Sequence, residues 1–333
     1  MNTPETPDST QRVTPARVLV VGESLVDVVR TSGNDSVHPG GSPLNVAVGL
    51  RRLDVPTTLH SSFGVDAHGR AIARRLEASG VTITPGTIND RPTSVALATI
   101  GADGGATYSF SIDWDPAPGE VAAGTIDALH VGSIGAALEP GAARVERLTA
   151  ELRPSAIISF DPNIRPQLMG SADVARPRVE RLIALSDVVK ASDEDIAWLY
   201  PGANVDEVVE GWLTRGPGLV VVTRGDSGAD AVTAQGSVYV PAPTATVVDT
   251  IGAGDSFMSG LLAALSDLEL LRVDQRKALR SLSAADTRRI LQFAVRCAAF
   301  TVSRPGADPP SRADLAAGLR GSSHSGAWAS RNS

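Results

Sequence analysis

The sequence predicts an α/β fold in which a mostly parallel sheet is covered by helices. Short runs of β-branched residues alternate with longer segments of helical periodicity, which is typical of repeated strand and helix units. The run from Leu219 to Val222 has no polar alternation, so we expect its strand to be buried on both faces. A chain of 333 residues with 42% hydrophobic content is long and apolar enough to bury the core between such a sheet and its helices.

The individual elements follow from these patterns in chain order. The strands with the clearest patterns are 17–21, 156–160 and 218–223. Amphipathic periodicity and helix start signals predict helices at 43–53, 67–79, 142–152, 193–199, 205–214, 254–266 and 284–302.

One stretch, about 93–113, interrupts the alternation. Two strand-like runs, Ser94–Ile100 and Ala106–Ile112, are joined by the glycine-rich segment 101–105, which predicts a hairpin rather than a crossover. Such a hairpin is either a lid over a site or a decoration at the edge of the main sheet. Its exposed edges would also allow pairing between two subunits, which would give a homodimer.

Composition and charge restrict the class of protein. Residues 1–15 and 321–333 are polar and predicted to be disordered, which leaves one domain over 16–320. A net charge of −7 and a pI near 5.3 argue against nucleic acid or an anionic membrane as partner, so we expect a small substrate. No signal peptide pattern and no run of 18 apolar residues is found, and the single Cys297 cannot form an intramolecular disulfide. We expect a cytoplasmic protein.

A glycine turn at the start of the helix 254–266 predicts a phosphate site. The backbone N–H groups of Gly252, Ala253 and Gly254 can approach an anion closely, and the helix adds the positive end of its dipole. Asp255 would repel a bound phosphate unless it takes a proton from an incoming hydroxyl, which points to a kinase. The alternative is an ordinary acidic residue in a first helical turn.

Two other glycine motifs do not fit this turn. A dinucleotide fingerprint needs a third glycine three positions after Gly254, where Phe257 stands. A P-loop needs a lysine directly after a glycine, and neither Lys190 nor Lys277 follows one. Phosphate charge is therefore expected to be met by backbone amides, arginine and a divalent metal.

A second cluster lies in the first third of the chain. Asp27 follows the strand 17–21, and Gly40, Gly41 and Asn45 open the helix 43–53. The glycine pair lets the backbone approach a ligand, Asp27 can accept from two hydroxyls, and Asn45 offers both a donor and an acceptor. These groups suit a polyol, although Asp27 and Asn45 could also serve only the local loop structure.

Five motifs taken together resemble the ribokinase-like (PfkB) sugar kinases, with order and spacing matched over about residues 17–318. The chain is most similar to the bacterial fructokinases of that family, through Gly22-Glu-Ser-Leu-Val-Asp27 and His130-Val-Gly-Ser133. The five motifs are Gly40-Gly-Ser-Pro-Leu-Asn45, Gly64-Val-Asp-Ala-His-Gly69, Asp161-Pro-Asn-Ile-Arg165-Pro, Thr223-Arg-Gly-Asp-Ser-Gly228 and Asp249-Thr-Ile-Gly-Ala-Gly-Asp255.

The resemblance implies a Rossmann-like αβα sandwich with a small β-sheet lid. It also implies transfer of the ATP γ-phosphoryl group to a sugar hydroxyl, with Asp255 as base and 252–254 as anion hole. Asp27, Gly40, Gly41, Asn45 and Arg165 would hold the sugar. Arg165 is the family position associated with fructokinase-type substrates.

The nucleotide and cation sites are implied in the same way. Thr223, Gly225 and Gly228 would lie against ATP, and Asp249 and Thr250 would lie near a monovalent cation such as potassium. Ser192 and Asp195, preceded by Lys190, occupy the family's Asn-x-x-Glu pattern, in which the carboxylate orients water on Mg²⁺. Ser192 could equally be a plain helix cap.

The identity of the sugar stays open at this point. Met169 replaces a tryptophan often found after Arg-Pro-x-Leu, so 2-keto-3-deoxygluconate, ribose or a nucleoside remain alternatives to fructose. A protein that binds sugar without transferring phosphate is a further alternative. The carboxylate of Asp255 beside a phosphate site argues against it.

Overall fold

The computed structural model describes residues 14–31, 35–100, 106–117 and 124–317. The ends predicted to be disordered fall outside these ranges apart from residues 14 and 15, and so does the 101–105 connection of the hairpin. Within the described ranges the strands are β1 (Val18–Val21), β2 (Leu25–Arg30), β3 (Asp35–Gly40), β4 (Thr57–His60), β5 (Phe63–Gly64), β6 (Thr82–Ile83), β7 (Ile88–Asn89), β8 (Ser94–Ile100), β9 (Ala106–Ser111), β10 (Ala128–Gly132), β11 (Ile157–Asp161), β12 (Val188–Ser192), β13 (Leu219–Thr223), β14 (Ala229–Thr233) and β15 (Gly236–Val240).

The helices of the same ranges agree with the predicted ones to within one or two residues at each end, apart from three that were not predicted. They are α1 (Ser42–Arg52), α2 (Ala67–Ala78), α3 (Gly141–Leu152), α4 (Pro166–Met169), α5 (Ala172–Leu185), α6 (Asp193–Leu199), α7 (Val205–Leu213), α8 (Ala253–Asp267), α9 (Arg276–Arg280) and α10 (Ala284–Val302). The three helices that were not predicted are α4, α5 and α9. The first and last are short, and α5 carries Pro177 in its interior.

A nine-stranded sheet forms the centre of the molecule, in the order β15-β14-β13-β12-β11-β10-β1-β4-β6. Strands from β13 to β6 in this order pair in parallel, whereas β14 and β15 pair antiparallel at one edge. Hydrophobic cores cover both faces: α1, α8 and α10 pack on one side, and α3, α5, α6 and α7 on the other. The predicted αβα sandwich is confirmed.

The predicted hairpin is also confirmed, and it belongs to a second, smaller sheet. β8 and β9 pair antiparallel and join β2 and β3 in a four-stranded sheet with the order β3-β2-β8-β9. The hairpin is therefore not an edge of the main sheet. Because β3 runs directly into α1, the small sheet stands next to the first turn of that helix.

The carboxyl ends of the central parallel strands meet at one edge of the main sheet. Glu23, Ser133, Asp161 and Ser192 stand at or just after the ends of β1, β10, β11 and β12. In open α/β sheets this edge is where ligands bind. None of the helices in the described ranges has the length and apolar character needed to cross a bilayer.

Candidate active site

The first turn of α8 is built on a glycine that no other residue could replace easily. Gly252 has φ 74°, and a Cβ at this position would lie 2.5 Å from the Cβ of Ala307. The N–H of Ala253 donates to the carbonyl oxygen of Thr250 at 3.3 Å. In the described chain the N–H of Gly254 has no protein acceptor, so it remains available for an anion.

Asp255 lies in this turn and is held by two side chains from α1. Ser42 donates from Oγ to one carboxylate oxygen at 2.6 Å, and Asn45 donates from Nδ2 to the other at 2.8 Å. All three side chains are buried. The first turns of α1 and α8 thus meet, which brings the predicted polyol cluster and the predicted phosphate turn into one site.

A buried lysine faces the same turn from β12. The Nζ of Lys190 lies 2.9 Å from Oδ2 of Asp161 and 3.3 Å from the position that a Cβ on Gly254 would occupy. Burial raises the pKa of Asp161 to about 6, and the nearby carboxylate of Asp195 adds to this shift. Burial alone would lower the pKa of Lys190, but the carboxylates of Asp161 and Asp195 raise it. Near neutral pH the pair is therefore ionised, with its ammonium group beside the phosphate turn.

The proposed sugar residues gather on the side of the small sheet. A Cβ on Gly40 would lie 2.4 Å from Oδ2 of Asp27, so a larger residue at position 40 would displace this carboxylate. Gly41 has φ 102° and approaches the carbonyl oxygen of Glu23 in a similar way. Burial raises the pKa of Asp27, while the positive charges of His38 and Arg165 oppose the shift. Arg165 is exposed and lies within electrostatic range of Asp27.

Glu23 is a buried carboxyl group that the sequence analysis did not select as a site residue. It is 3% exposed, and its Oε2 accepts from the backbone N–H of Gly135 at 2.7 Å. Burial raises its pKa to about 7, although hydrogen bonds from Ser133 and Gly135 and the charge of Arg165 act in the opposite direction. Glu23 therefore links the end of β1 to the turn that follows β10.

The residues implied for the nucleotide lie further along the same edge of the sheet. Ser192 and Thr223 are cross-strand partners at the ends of β12 and β13. Gly225 has φ 53° and open space where a Cβ would point. Gly228 has φ 108° and packs against the carbonyl oxygen of Val240, which gives it a structural reason to be glycine. Ser192 and Thr223 thus stand at the carboxyl ends of neighbouring strands, and Gly225 and Gly228 follow in the turn after β13.

Asp195 adopts the helix-cap arrangement that was the alternative to a metal role. Its Oδ2 accepts from the N–H of Ser192 at 2.9 Å, and its Oδ1 accepts from the N–H of Ile164 at 2.8 Å. The N–H of Asp195 in turn donates to Oγ of Ser192 at 3.0 Å, which completes a capping box. Each oxygen accepts one of these N–H bonds and keeps a further lone pair, so the carboxylate retains the capacity to accept from a water of a hydrated Mg²⁺.

The residues implied for a monovalent cation lie in the loop that leads into α8. Asp249 accepts from the N–H of Gly306 at 2.8 Å and from that of Ile251 at 3.0 Å. Its own N–H donates to the carbonyl oxygen of Val302. Thr250 is exposed. Among the described residues no group of three His, Cys, Asp or Glu side chains could hold a metal ion.

Four residues of this site were missed as functional candidates: Ser42, Glu23, Asp161 and Arg75. Ser42, Glu23 and Asp161 lie inside quoted motifs, so their motif positions could have indicated them. Arg75 donates to Oδ1 of Asn45 at 3.1 Å and belongs to no motif. No signal in the sequence distinguishes it from the other arginines of α2.

The site is that of a small-molecule phosphotransferase of the α/β class, with hydroxyl-binding side chains next to an anion-binding helix terminus. Comparison with known proteins agrees. The sequence model of the pfkB family carbohydrate kinases matches residues 15–314. The chain belongs to this family, and it is therefore a carbohydrate kinase that uses a hydroxyl group as phosphoryl acceptor.

Individual relatives point in the same direction. The chain is 35% identical over 274 residues to a fructokinase of Rhizobium leguminosarum bv. trifolii, which covers 79% of this chain and 83% of that protein. A fructokinase of Vibrio cholerae O395, a double mutant bound to fructose, ADP and potassium, superposes with a TM-score of 0.76 at 26% identity, over 91% of this chain and 99% of that one. A sugar kinase from Pyrococcus horikoshii in complex with ATP gives a TM-score of 0.72 at 26% identity, over 89% and 96% of the two chains.

Proposed function

We propose that this carbohydrate kinase transfers the γ-phosphoryl group of ATP to a hydroxyl of fructose, with Asp255 as the catalytic base. The observation that supports this most strongly is the placement of Asp255. Its carboxylate lies in the turn whose Gly254 N–H is free, and both of its oxygens are oriented by residues of the sugar-side helix. A hydroxyl that approaches between α1 and α8 would therefore meet the base and the phosphate together.

The chemistry follows from these groups. Asp255 removes the hydroxyl proton as the sugar oxygen bonds to the γ-phosphorus, and the bond from that phosphorus to the bridging oxygen breaks to release ADP. The N–H of Gly254, the positive end of α8 and the ammonium of Lys190 stabilise the charge that builds on the phosphoryl oxygens. Asp195 would hold a water of the Mg²⁺ brought with ATP, and this ion would supply positive charge to the phosphate groups.

Fructose is favoured by the sugar side of the site and by the relatives. Asn45 donates to Asp255, Asp27 lies within electrostatic range of both Asp255 and the exposed Arg165, and the Vibrio protein binds fructose. We extend the proposal to a potassium site at Asp249 and Thr250, because Asp249 faces the 302–306 turn and the same Vibrio structure holds potassium.

The experiment is ADP release with MgATP against fructose, 2-keto-3-deoxygluconate, ribose, glucose and adenosine, in potassium and in sodium. Turnover on fructose with a gain in potassium supports the full proposal. Preference for another sugar would support the phosphoryl-transfer chemistry but refute fructose as the substrate.

Asp255→Asn tests the base directly. The new amide can keep its oxygen towards Asn45 and donate to Ser42, so the fold should be retained. We expect turnover to fall by about 10²–10⁴-fold while sugar and nucleotide binding persist by calorimetry. Wild-type turnover in this variant would remove Asp255 from the role of base.

We also propose one kinase domain over about 16–320 that pairs as a homodimer through the small sheet. Val37, Tyr108 and Phe110 are exposed on β3 and β9, the two edge strands of that sheet. Light scattering coupled to size exclusion should give twice the mass of the chain, and Tyr108→Lys should halve it.

A further inference from the structure

Arg75 joins three separate segments of the molecule at the edge of the active site. Its Nη1 donates to the carbonyl oxygen of Pro39 at 2.7 Å, and its Nη2 donates to Oδ1 of Asn45 at 3.1 Å and to the carbonyl oxygen of Ala307 at 2.6 Å. These acceptors belong to the small sheet, to α1 and to the loop that packs on Gly252. Arg75 is partly buried, and these three acceptors of its guanidinium are neutral oxygens, whereas the carboxylates of the described residues act on it only through longer-range electrostatics. A cation without a direct counter-ion is costly to bury, so its position calls for a reason.

Asn45 supplies that reason. The amide stands between the carboxylate of Asp255, which can only accept when ionised, and the guanidinium of Arg75, which can only donate. Its nitrogen must therefore face Asp255 and its oxygen must face Arg75. Without Arg75 the amide could rotate and turn its oxygen towards the carboxylate, where two acceptors would repel each other.

We propose that Arg75 is a positioning residue, which locks the amide of Asn45 so that its N–H holds the carboxylate of Asp255 towards the sugar hydroxyl. The inference rests on the proposed function, in which Asp255 is the base. Misplacing a general base affects the transition state more than the bound substrate, so the loss should appear mainly in kcat. One nitrogen donor and one lone pair of Asn45 stay free for the sugar.

Arg52 provides a matched control. It also ties down the loop after α10, through an ion pair with Asp308 and a hydrogen bond to the carbonyl oxygen of Pro309 at 2.6 Å. Arg52 has no contact with Asn45. A purely structural role of Arg75 in holding this loop should therefore be reproduced by removing Arg52, whereas a role through Asn45 should not.

The test is a double-mutant cycle with kcat, the KM values for sugar and ATP, and the Tm of each variant. We expect R75M to lower kcat by about 10- to 100-fold, the loss associated with a hydrogen bond to a charged group. We expect R52M to change kcat by less than about threefold. In the N45A background, R75M should lower kcat by no more than about twofold further, because the residue through which it acts is already gone.

Several outcomes would overturn the inference. Equal losses in R75M and R52M that follow their Tm values would make Arg75 a loop anchor. If the kcat of the double mutant falls by the product of the R75M and N45A losses, Arg75 does not act through Asn45. If R75M does not fold, the same double-mutant cycle is measured with R75K. This variant keeps the positive charge but replaces the guanidinium by a single amino nitrogen. An inactive wild type, or a fully active D255N, would instead refute the proposed function, whereas an active wild type with R75M at wild-type kcat refutes only the role of Arg75.

Discussion

Glu23→Gln should stabilise the protein in a pH-dependent manner. The carboxyl group is buried at the end of β1, and its pKa of about 7 lies above its ordinary value of 4.5. Between these two pH values the folded state keeps the proton while the unfolded state releases it. The wild-type protein therefore has no stability penalty from Glu23 at low pH. The penalty grows as the pH rises from about 4.5 to 7 and is fully present above pH 7.

The magnitude follows from the separation of the two pKa values. A difference of about 2.5 units corresponds to about 3 kcal/mol, of which about 2 kcal/mol is lost between pH 5.5 and pH 8. A glutamine at position 23 is neutral throughout, and its side-chain oxygen can still accept from the N–H of Gly135. The stability gap between E23Q and the wild type should therefore widen by about 2 kcal/mol over this range, a shift of a few degrees in Tm.

The assay is thermal and urea unfolding of both proteins at pH 5.5 and pH 8. Glu151→Gln, at an exposed carboxylate near the end of α3, is the control and should show no such widening. A gap between E23Q and the wild type that is the same at both pH values would refute the reasoning. It would mean that Glu23 is ionised throughout and that its charge is balanced in the folded state.

Three further substitutions test the packing of the site. Gly69→Ala should lower the free energy of unfolding by about 1–3 kcal/mol, because its Cβ would lie 1.8 Å from a carbonyl oxygen of β5. Gly211→Ala, which has open space, is the control in the same melts, and equal Tm values would contradict the prediction. Lys190→Met should cost about 3–5 kcal/mol in urea unfolding by leaving Asp161 without its partner. Adding Asp161→Leu should restore most of it, and no recovery would show that the pair is not coupled. Gly254→Ala should slow turnover at saturating ATP and sugar, since its Cβ would lie 3.3 Å from the ammonium of the buried lysine. Unchanged kinetics would show that the ammonium group of Lys190 does not act at the phosphate turn.

The parts of the fold that local pattern determines could be predicted from the sequence. A strand buried on both faces accepts only apolar residues, so the continuous apolar run of β13 could be recognised from the sequence. A left-handed turn favours glycine, so the turn before α8 could be recognised as well. α5 was missed because Pro177 normally ends a helix. Pro177 is the sixth residue of α5 and has no N–H to donate to the carbonyl oxygen of Asp173, so the helix continues with one hydrogen bond fewer near its start.

The contacts that organise Asp255 could not be predicted in the same way. Ser42 and Asp255 are 213 positions apart, and their bond depends on how α1 and α8 pack. The motif around Asn45 indicated a ligand site but not that its amide would contact the base. Arg75 follows the ordinary amphipathic pattern of α2, so only the packed structure reveals that its side chain points inward.

The charges of the site divide into two sets, one around the partly buried Arg75 and one around the buried Lys190. On the sugar side, Asp27 and Asp255 lie within electrostatic range of Arg75. On the phosphate side, Asp161 and Asp195 lie around Lys190. Lys190 is paired with Asp161, and Arg75 donates to three protein oxygens, so these two cations alone cannot neutralise the several negative charges of ATP. A divalent cation supplied with ATP would add positive charge that these two groups do not provide, which is the physical reason to expect turnover to depend on it.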